Sequence, residues 1–343
     1  MTVVRRVGLY CVLPLVLALT AAYIWYRQSD TGRGWRYEDK LASYCGGLIP
    51  YDESAVFTGL DTEAGLSRDG EYGYGADRFR SCQVADLTVS VGLIPADAAV
   101  SGTRDGMLSM LGGGSPDRLP VALGGGWRGY TDLRNTGVVL PCAGKDASLV
   151  VSVAGDASHE NAEEGRAVGR LAAAVAREAA ETESCETTFG GAIPELSLPK
   201  GKTALLSASG TCAGIRIPDS APDDWIDWIE ETEASDGAPL ERCLLGETGG
   251  RDEVLYSLNA SFGPYAQRLR PDAGDDEDWP QPRLTRDSAL ATATCPGSTV
   301  PAVFSIGATV YAAPTREFLA SALHTFAERS AKRHGCTGLR LPG

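Results

Sequence analysis

The chain has 343 residues, of which 43% are hydrophobic and 22% are charged, and its formal net charge is −14. This composition is typical of a globular protein with room for two cores, and it excludes a collagen-like repeat and a disordered polyelectrolyte. The acidic balance also excludes a nucleic-acid binder that works through bulk positive charge.

The first element along the chain is an apolar segment at residues 7–26, VGLYCVLPLVLALTAAYIWY, which contains no charged residue. As a helix rising about 1.5 Å per residue, it would match the roughly 30 Å thickness of a bilayer's hydrocarbon core. Trp25, Tyr26 and Arg27 at its end are typical of a membrane interface. We therefore predict a cytoplasmic tail at 1–6, a transmembrane helix at 7–26 and a polar stalk at 27–36.

A cleaved signal peptide is the alternative interpretation of this segment. Thr20 and Ala22 have the spacing of the −3 and −1 residues of a cleavage site. The apolar run continues beyond them, however, which favours an uncleaved anchor. Basic residues stand on both sides of the segment, so charge alone does not set its orientation, and Cys11 within it is expected to be an inert thiol.

The remaining eight cysteines form two sets of four. They are separated by 37, 60 and 43 residues in the first set and by 31, 52 and 41 in the second. The stretch Cys45-Gly-Gly-Leu-Ile-Pro50 also resembles Cys212-Ala-Gly-Ile-Arg-Ile-Pro218. We therefore predict two tandem homologous domains, at residues 37–190 and 203–343, joined by a linker at 191–202.

An even number of cysteines after an apolar N-terminal segment indicates disulfides, and so places the body of the chain outside the cytoplasm. No C-x-x-C motif or paired histidine supports a zinc site. Four cysteines allow three pairings in each domain. We favour the pairing in which a helix packed on its own hairpin returns its last turn to the preceding strand: Cys45 with Cys82, Cys142 with Cys185, Cys212 with Cys243, and Cys295 with Cys336.

The periodicity of apolar residues predicts the α+β class. Alternation predicts strands at 87–93, 136–142 and 148–154 in the first domain, and at 252–262, 288–295 and 302–311 in the second. A helical face follows Asn161 in the first domain, and another follows Phe318 in the second. Each domain is thus expected to be an antiparallel sheet with a C-terminal helix.

Catalytic motifs are missing from the sequence. The three histidines, His159, His324 and His334, complete no zincin motif, and no G-x-S-x-G nucleophile elbow is present. We expect these histidines to face solvent or end helices, and a cluster at helical spacing, Trp225, Trp228 and Ile229, to lie in the core. The sequence therefore predicts no catalytic residue, no cofactor and no metal.

Two kinds of loop leave a binding function open. The glycine runs 112–114 and 124–126 are expected to be mobile loops, with a ligand lid as the alternative. The acidic stretch 272–281 is expected to be solvated, although its carboxylates could also gather around Ca²⁺.

The Cys45–Pro50 motif and the ending Phe326-Ala-Glu-Arg-Ser-Ala-Lys-Arg-His-Gly-Cys336 resemble uncharacterised membrane-anchored or secreted proteins of Streptomyces and related actinomycetes. This resemblance implies an envelope location and carries no catalytic residues. Our hypothesis is a non-catalytic binding or interaction module of the cell envelope. Its expected partners are the cytoplasmic membrane, through residues 7–26, and an unidentified envelope protein or ligand, but no nucleic acid. The alternative is an exported hydrolase or small-ligand-binding protein with a site between the two domains.

Overall fold

The computed structural model of the protein describes residues 12–75, 78–98, 106–112, 118–155, 161–217, 226–250, 252–270, 280–298 and 300–343. Three helices lead into the first sheet: α1 (Leu13–Gln28), α2 (Asp30–Leu41) and α3 (Tyr51–Thr58). The predicted transmembrane segment overlaps α1, and its residues 7–11 lie outside the described ranges. Within those ranges, no helix is both long enough and apolar enough to span a bilayer.

The segment predicted as a polar stalk is helical. Ser29 separates α1 from α2, and its hydroxyl oxygen accepts a hydrogen bond from the Gly32 N–H at 3.0 Å. This N-cap satisfies a donor at the start of α2, and Tyr37 and Leu41 on that helix are buried in the first core. Capping and burial of these two side chains together explain why two glycines do not prevent the helix.

The first sheet has seven antiparallel strands in the order β1-β2-β3-β7-β6-β5-β4. The strands predicted at 136–142 and 148–154 are confirmed as β6 and β7, which pair as an antiparallel hairpin. A one-turn helix, α4 (Met107–Met110), lies between the third and fourth strands. The strands are β1 (Asp69–Tyr72), β2 (Phe79–Val84), β3 (Leu87–Pro95), β4 (Val121–Ala122), β5 (Gly129–Thr131), β6 (Asn135–Pro141) and β7 (Ala147–Gly155).

The second sheet has the strand order β12-β13-β14-β11-β10-β9-β8, and β15 pairs with β13. A short helix, α6 (Pro264–Gln267), follows its fourth strand. The strands are β8 (Thr203–Ala204), β9 (Trp228–Glu231), β10 (Leu240–Gly246), β11 (Val254–Ser261), β12 (Arg283–Leu284), β13 (Ser288–Thr294), β14 (Ala302–Ala308) and β15 (Thr337–Arg340).

The two sheets share a six-strand arrangement. The order β1-β2-β3-β7-β6-β5 in the first corresponds to β9-β10-β11-β14-β13-β12 in the second. Their registers agree as well, because Cys82 pairs with Asp69 and Val89, as Cys243 pairs with Glu231 and Leu258. We call the part of the chain from α2 to α5 the first unit, and the part from β8 onward the second unit.

Each unit closes with a long helix, α5 (Ala162–Thr182) in the first and α7 (Arg316–Arg333) in the second. The two C-terminal ends match bond for bond: Cys185 N–H donates to Ala180 O at 2.8 Å, and Cys336 N–H donates to Ala331 O at 2.8 Å. The residue before each cysteine has a positive φ, 50° at Ser184 and 65° at Gly335. This left-handed residue reverses the chain so that the cysteine returns to the sheet.

All four predicted disulfides are confirmed. They join Cys45 to Cys82, Cys142 to Cys185, Cys212 to Cys243, and Cys295 to Cys336. In each unit one bridge holds the segment before the six shared strands, and the other holds the end of the helix against the sheet. Closing loops of this length stabilises a fold by about 4 kcal/mol on the chain-entropy model.

Each sheet buries one face under its own helix and the other against the neighbouring unit. In the first unit, Val138, Leu140 and Val151 point toward α5, whereas Val139 and Val150 contribute to a cluster shared with the second unit. In that shared cluster Leu240 and Tyr265 come from the second unit, and a smaller cluster joins Leu119 to Trp228 and Leu244. The layers are therefore helix, sheet, sheet and helix.

The predicted linker at 191–202 is not free chain. Ile193 and Leu196 are buried in the first core, and the Arg166 Nε donates to Ile193 O at 2.9 Å. Pro194 fits beside the Gly124 backbone. Proline and glycine in this stretch predicted a flexible linker. The side chains of Ile193 and Leu196 instead pack beside α5, so this part of the predicted linker extends the first unit.

Candidate functional site

A cleft of about 600 Å³ lies where the two units meet. A smaller cavity of about 70 Å³ adjoins it and shares part of its wall. Strand ends and turns supply this wall from both units, the first through β5, β6 and β7 and the second through the turn between β13 and β14. The residues common to both spaces are Arg128, Val139, Pro141, Ser148, Gly297 and Ser298.

Arg128 occupies the centre of this junction. Its backbone oxygen accepts the Val139 N–H at 2.8 Å, which fixes the residue at the start of β5. Its side chain crosses to the second unit, where a Cβ on Gly297 would lie 3.3 Å from the Arg128 Nη1. Gly297 has a φ of 68°, so glycine serves both the turn and the close approach of the guanidinium.

The larger cleft has a positive balance in an acidic chain. Arg128 and Lys145 line it together with one carboxylate, Glu186. Within the described ranges, no hydrogen bond or ion pair engages the Arg128 side chain, whereas the Lys145 Nζ donates to the Glu183 carbonyl oxygen. The hydroxyl-bearing residues of the wall are Ser148, Thr187, Thr188 and Ser298. Two cations and several hydroxyls at a concave surface are suited to an anionic group.

The glycine run 124–126, predicted as a mobile loop, is a packed turn at the edge of this cleft. All three residues have positive φ values. Gly191 N–H donates to Gly125 O at 2.8 Å, and a Cβ on Gly125 would lie 2.4 Å from Ala192 O. This turn is therefore packed tightly against the predicted linker, residues 191–202, and is not the mobile loop that the sequence predicted. In the other run only Gly112 lies within the described ranges.

A buried polar cluster borders the smaller cavity. The carboxylate of Glu241, which is 2% exposed, accepts hydrogen bonds from Ser330 Oγ at 2.8 Å and from Arg333 Nη2 at 2.7 Å. The His334 Nε2 lies 2.8 Å from the other carboxylate oxygen. Burial alone raises the pKa of Glu241, but the hydrogen bonds from His334 and Arg333 and the charge of Arg333 outweigh it, so that the pKa is lowered.

His334 forms part of the cavity wall, and its ring stacks on Phe262 with the centroids 3.8 Å apart. It ends α7, as expected for a helix-end histidine, yet its side chain is only 9% exposed. His324 is exposed on α7, and His159 lies outside the described ranges. Among described residues the only hydrogen-bond partner of the His334 ring is Glu241, so no described hydroxyl or thiol is hydrogen-bonded to the ring in the way that an activated nucleophile is bonded to its base.

Sequence reasoning missed Glu241 and Arg128. Two features of the sequence could have indicated the buried cluster around Glu241. They are a glutamate two residues before a buried cysteine and an Arg-His pair at the end of the last helix. The tryptophan cluster was also misassigned: Trp228 and Ile229 belong to strand β9 rather than to a helix, although both are buried as expected. Trp225 lies outside the described ranges.

Most of the predicted acidic loop, residues 272–279, lies outside the described ranges. No group of three or more His, Cys, Asp or Glu residues among those described could hold a metal ion.

No protein-family model matches the chain, and no curated protein matches it. Among solved structures, the crystal structure of DynU16, a protein of the dynemicin biosynthetic locus, aligns with 10% sequence identity and a TM-score of 0.15. The alignment covers 81% of this chain and 93% of DynU16. A similarity this low carries no argument about fold or function.

Proposed function

We propose that the protein is a non-catalytic binding module of the cell envelope, and that the cleft between its two units takes a small anionic ligand. The observation that carries this proposal is the pair of cations, Arg128 and Lys145, facing a concave space of about 600 Å³. That volume falls in the usual range for small-molecule sites. Because the chain as a whole is acidic, a local positive balance is a specific feature of this wall.

Anion titrations test this proposal. Citrate and inorganic phosphate are titrated into the purified protein by calorimetry, with Arg128→Ala as the variant and Arg286→Ala, an exposed arginine away from the cleft, as the matched control. We expect the cleft variant to weaken binding about tenfold or more, because a charge-assisted hydrogen bond contributes about 1.5–3 kcal/mol. Equal affinities of the two variants, or no binding of either anion, would contradict the proposal.

We further propose that the two units are tandem copies of one domain and that residues 7–26 anchor them to the outer side of the cytoplasmic membrane. The common strand order and register support a shared origin. The apolar side chains of α1 are all exposed, and four disulfides suit an oxidising compartment. Peptide mass mapping without reductant, on full-length protein extracted from membranes, should recover all four bridges. Free thiols, or protein found only in the soluble fraction, would contradict this location.

An exported hydrolase is the second candidate. The hydrogen bond between His334 and the buried Glu241 resembles the orientation of a general base. The same carboxylate, however, is already engaged by Ser330 and Arg333, which indicates a structural cluster. Hydrolysis of a panel of p-nitrophenyl esters that His334→Ala abolishes would favour the hydrolase over the binding module.

A further inference from the structure

The first unit contains a groove where the second unit has its buried cluster. The groove measures about 400 Å³ and is lined by the ends of β2, β3 and α5, including Arg80, Leu93, Ala179 and Glu183. Arg80 stands two residues before Cys82, as Glu241 stands two residues before Cys243 in the equivalent strand. Arg80 and Glu241 therefore occupy the same position in the two units.

The helix ends extend this correspondence. Because the hydrogen bonds around Cys185 and Cys336 match, Glu183 is the equivalent of His334, and Ala179 is the equivalent of Ser330. The strand register makes Leu93 the equivalent of Phe262. The first unit thus lacks the stacked pair of rings that fills this position in the second unit, and the empty volume is the groove.

The strand residue has the opposite charge in the two units, and in the first unit it is separated from the helix-end residue. In the second unit the strand carboxylate and the helix-end histidine are 2.8 Å apart. In the first unit the strand residue is the cation, Arg80, and the helix-end residue is the anion, Glu183. No ion pair joins these two side chains, although both line the groove.

Arg80 retains capacity for a ligand. Its guanidinium lies beside the backbone of Gly46, and its ion pairs with Asp69 and Glu71 are long, at 3.4 and 3.8 Å. Its side chain is 34% exposed. A guanidinium has five N–H donors, so these two contacts leave donors for a carboxylate.

We propose that this groove is a binding site for a ring-bearing zwitterion, such as an aromatic amino acid. The ligand carboxylate pairs with Arg80, its ammonium pairs with Glu183, and its ring takes the place that the Phe262 ring fills in the second unit. Leu48, Val91 and Leu93 supply apolar wall for the ring. This site is separate from the cleft between the units, so it stands whether or not the cleft binds an anion.

Calorimetry and saturation-transfer NMR on the full chain test this proposal. L-Phenylalanine is the probe, and phenylpropionate, phenethylamine and L-alanine each lack one of its three features. We expect L-phenylalanine to bind, each analogue to bind at least about tenfold more weakly, and Arg80→Gln and Glu183→Gln each to weaken binding by about the same factor. Arg286→Ala, at an exposed arginine that lines neither the groove nor the cleft, should leave this affinity unchanged.

A groove-filling variant gives an independent test, because Leu93→Phe introduces the ring that the second unit has at this position. We expect it to abolish L-phenylalanine binding while the thermal unfolding transition is retained. The proposal is overturned if L-phenylalanine does not bind at about 10 mM, where millimolar affinities are measurable. It is also overturned if binding persists undiminished in both Leu93→Phe and Arg80→Gln.

Discussion

The ends of the two long helices show the same backbone with different chemistry. Cys185 and Cys336 return to their sheets through identical hydrogen bonds. In the second unit the adjoining space is closed by Glu241 and its three partners, whereas in the first it is open. Disulfide, left-handed residue and strand register hold the backbone in both units. The side chains around them are therefore free to differ, and a structural cluster in one unit can be a binding groove in the other.

A second pair of equivalent residues, Asp69 and Glu231, has the same role in both units. Asp69 and Glu231 face the second cysteine of their units in register, and each carboxylate accepts the N–H of the first cysteine at 2.9 Å, from Cys45 and Cys212 respectively. Both side chains therefore serve the backbone beside a disulfide. At these positions the units agree where a side chain supports the backbone and differ where it meets only other side chains.

The largest contrast is expected between Glu241→Ala and Arg80→Ala. The first variant leaves the partly buried charge of Arg333 and its donors without the carboxylate, which costs up to about 3–5 kcal/mol. The second removes long, partly exposed ion pairs and should cost less than about 1 kcal/mol. Urea unfolding followed by circular dichroism measures both. If the two variants lose similar free energies of unfolding, the helix ends do not differ in the way described.

Substitution of the two equivalent carboxylates should give similar losses. Asp69→Ala and Glu231→Ala each remove an acceptor from a backbone N–H beside a disulfide. We expect each to lower the free energy of unfolding by about 2 kcal/mol, since hydrogen bonds to charged groups contribute about 1.5–3 kcal/mol. The same unfolding measurement applies, with Arg286→Ala as the control. A loss confined to one unit would contradict the shared role of these residues.

The buried cluster should also give the second unit a specific sensitivity to acid. The pKa of Glu241 is lowered from its ordinary value of 4.5, so its stabilisation is present above that pH and is lost as pH falls through the lower, folded-state value. One such group changes stability by at most about 1.4 kcal/mol per pH unit. The free energies of unfolding of wild type and of Glu241→Ala are measured between pH 3 and pH 7. The difference between the two free energies should become smaller below pH 4.5. A constant difference would exclude this titration.

The smallest effect concerns the starts of the two helices. Asn161 Oδ1 accepts the N–H groups of Glu163 and Glu164, and Thr315 Oγ1 accepts that of Phe318. Replacing either cap by alanine should cost about 1 kcal/mol, because one or two helix donors lose their acceptor. Glu328→Ala, at an exposed position inside α7, is the control and should change thermal stability little. If the losses of stability in the two alanine variants differ by more than about twofold, the helix starts are a further difference between the units.

Much of the fold was predictable from the sequence because it depends on local patterns. Alternating apolar residues indicated β3, β6 and β7, and Asn161 indicated the start of α5. Cysteine spacing left three pairings open in each domain, and the confirmed pairing was favoured because a helix packed on its own hairpin brings its last turn back near the preceding strand.

The site depends on contacts between distant residues, and these were not predictable. Glu241 and His334 are 93 positions apart, and Arg128 reaches Gly297 across the boundary between the units. No local pattern encodes which strand end faces which turn. The strand β9 was misassigned for a related reason: Trp228 and Ile229 are adjacent and buried on opposite faces, a pattern that helical spacing and a fully buried strand share.

The packing of residues 191–198 against α5 determines how the molecule can be divided. A fragment ending at residue 190 would lose Ile193 and Leu196 from the interior to which they belong. A fragment ending at Lys202 would keep them, because only the residues from Pro199 to Lys202 separate this strip from β8. When either half is expressed alone, the chain should therefore be divided close to Lys202, several residues beyond the boundary that the prolines suggest.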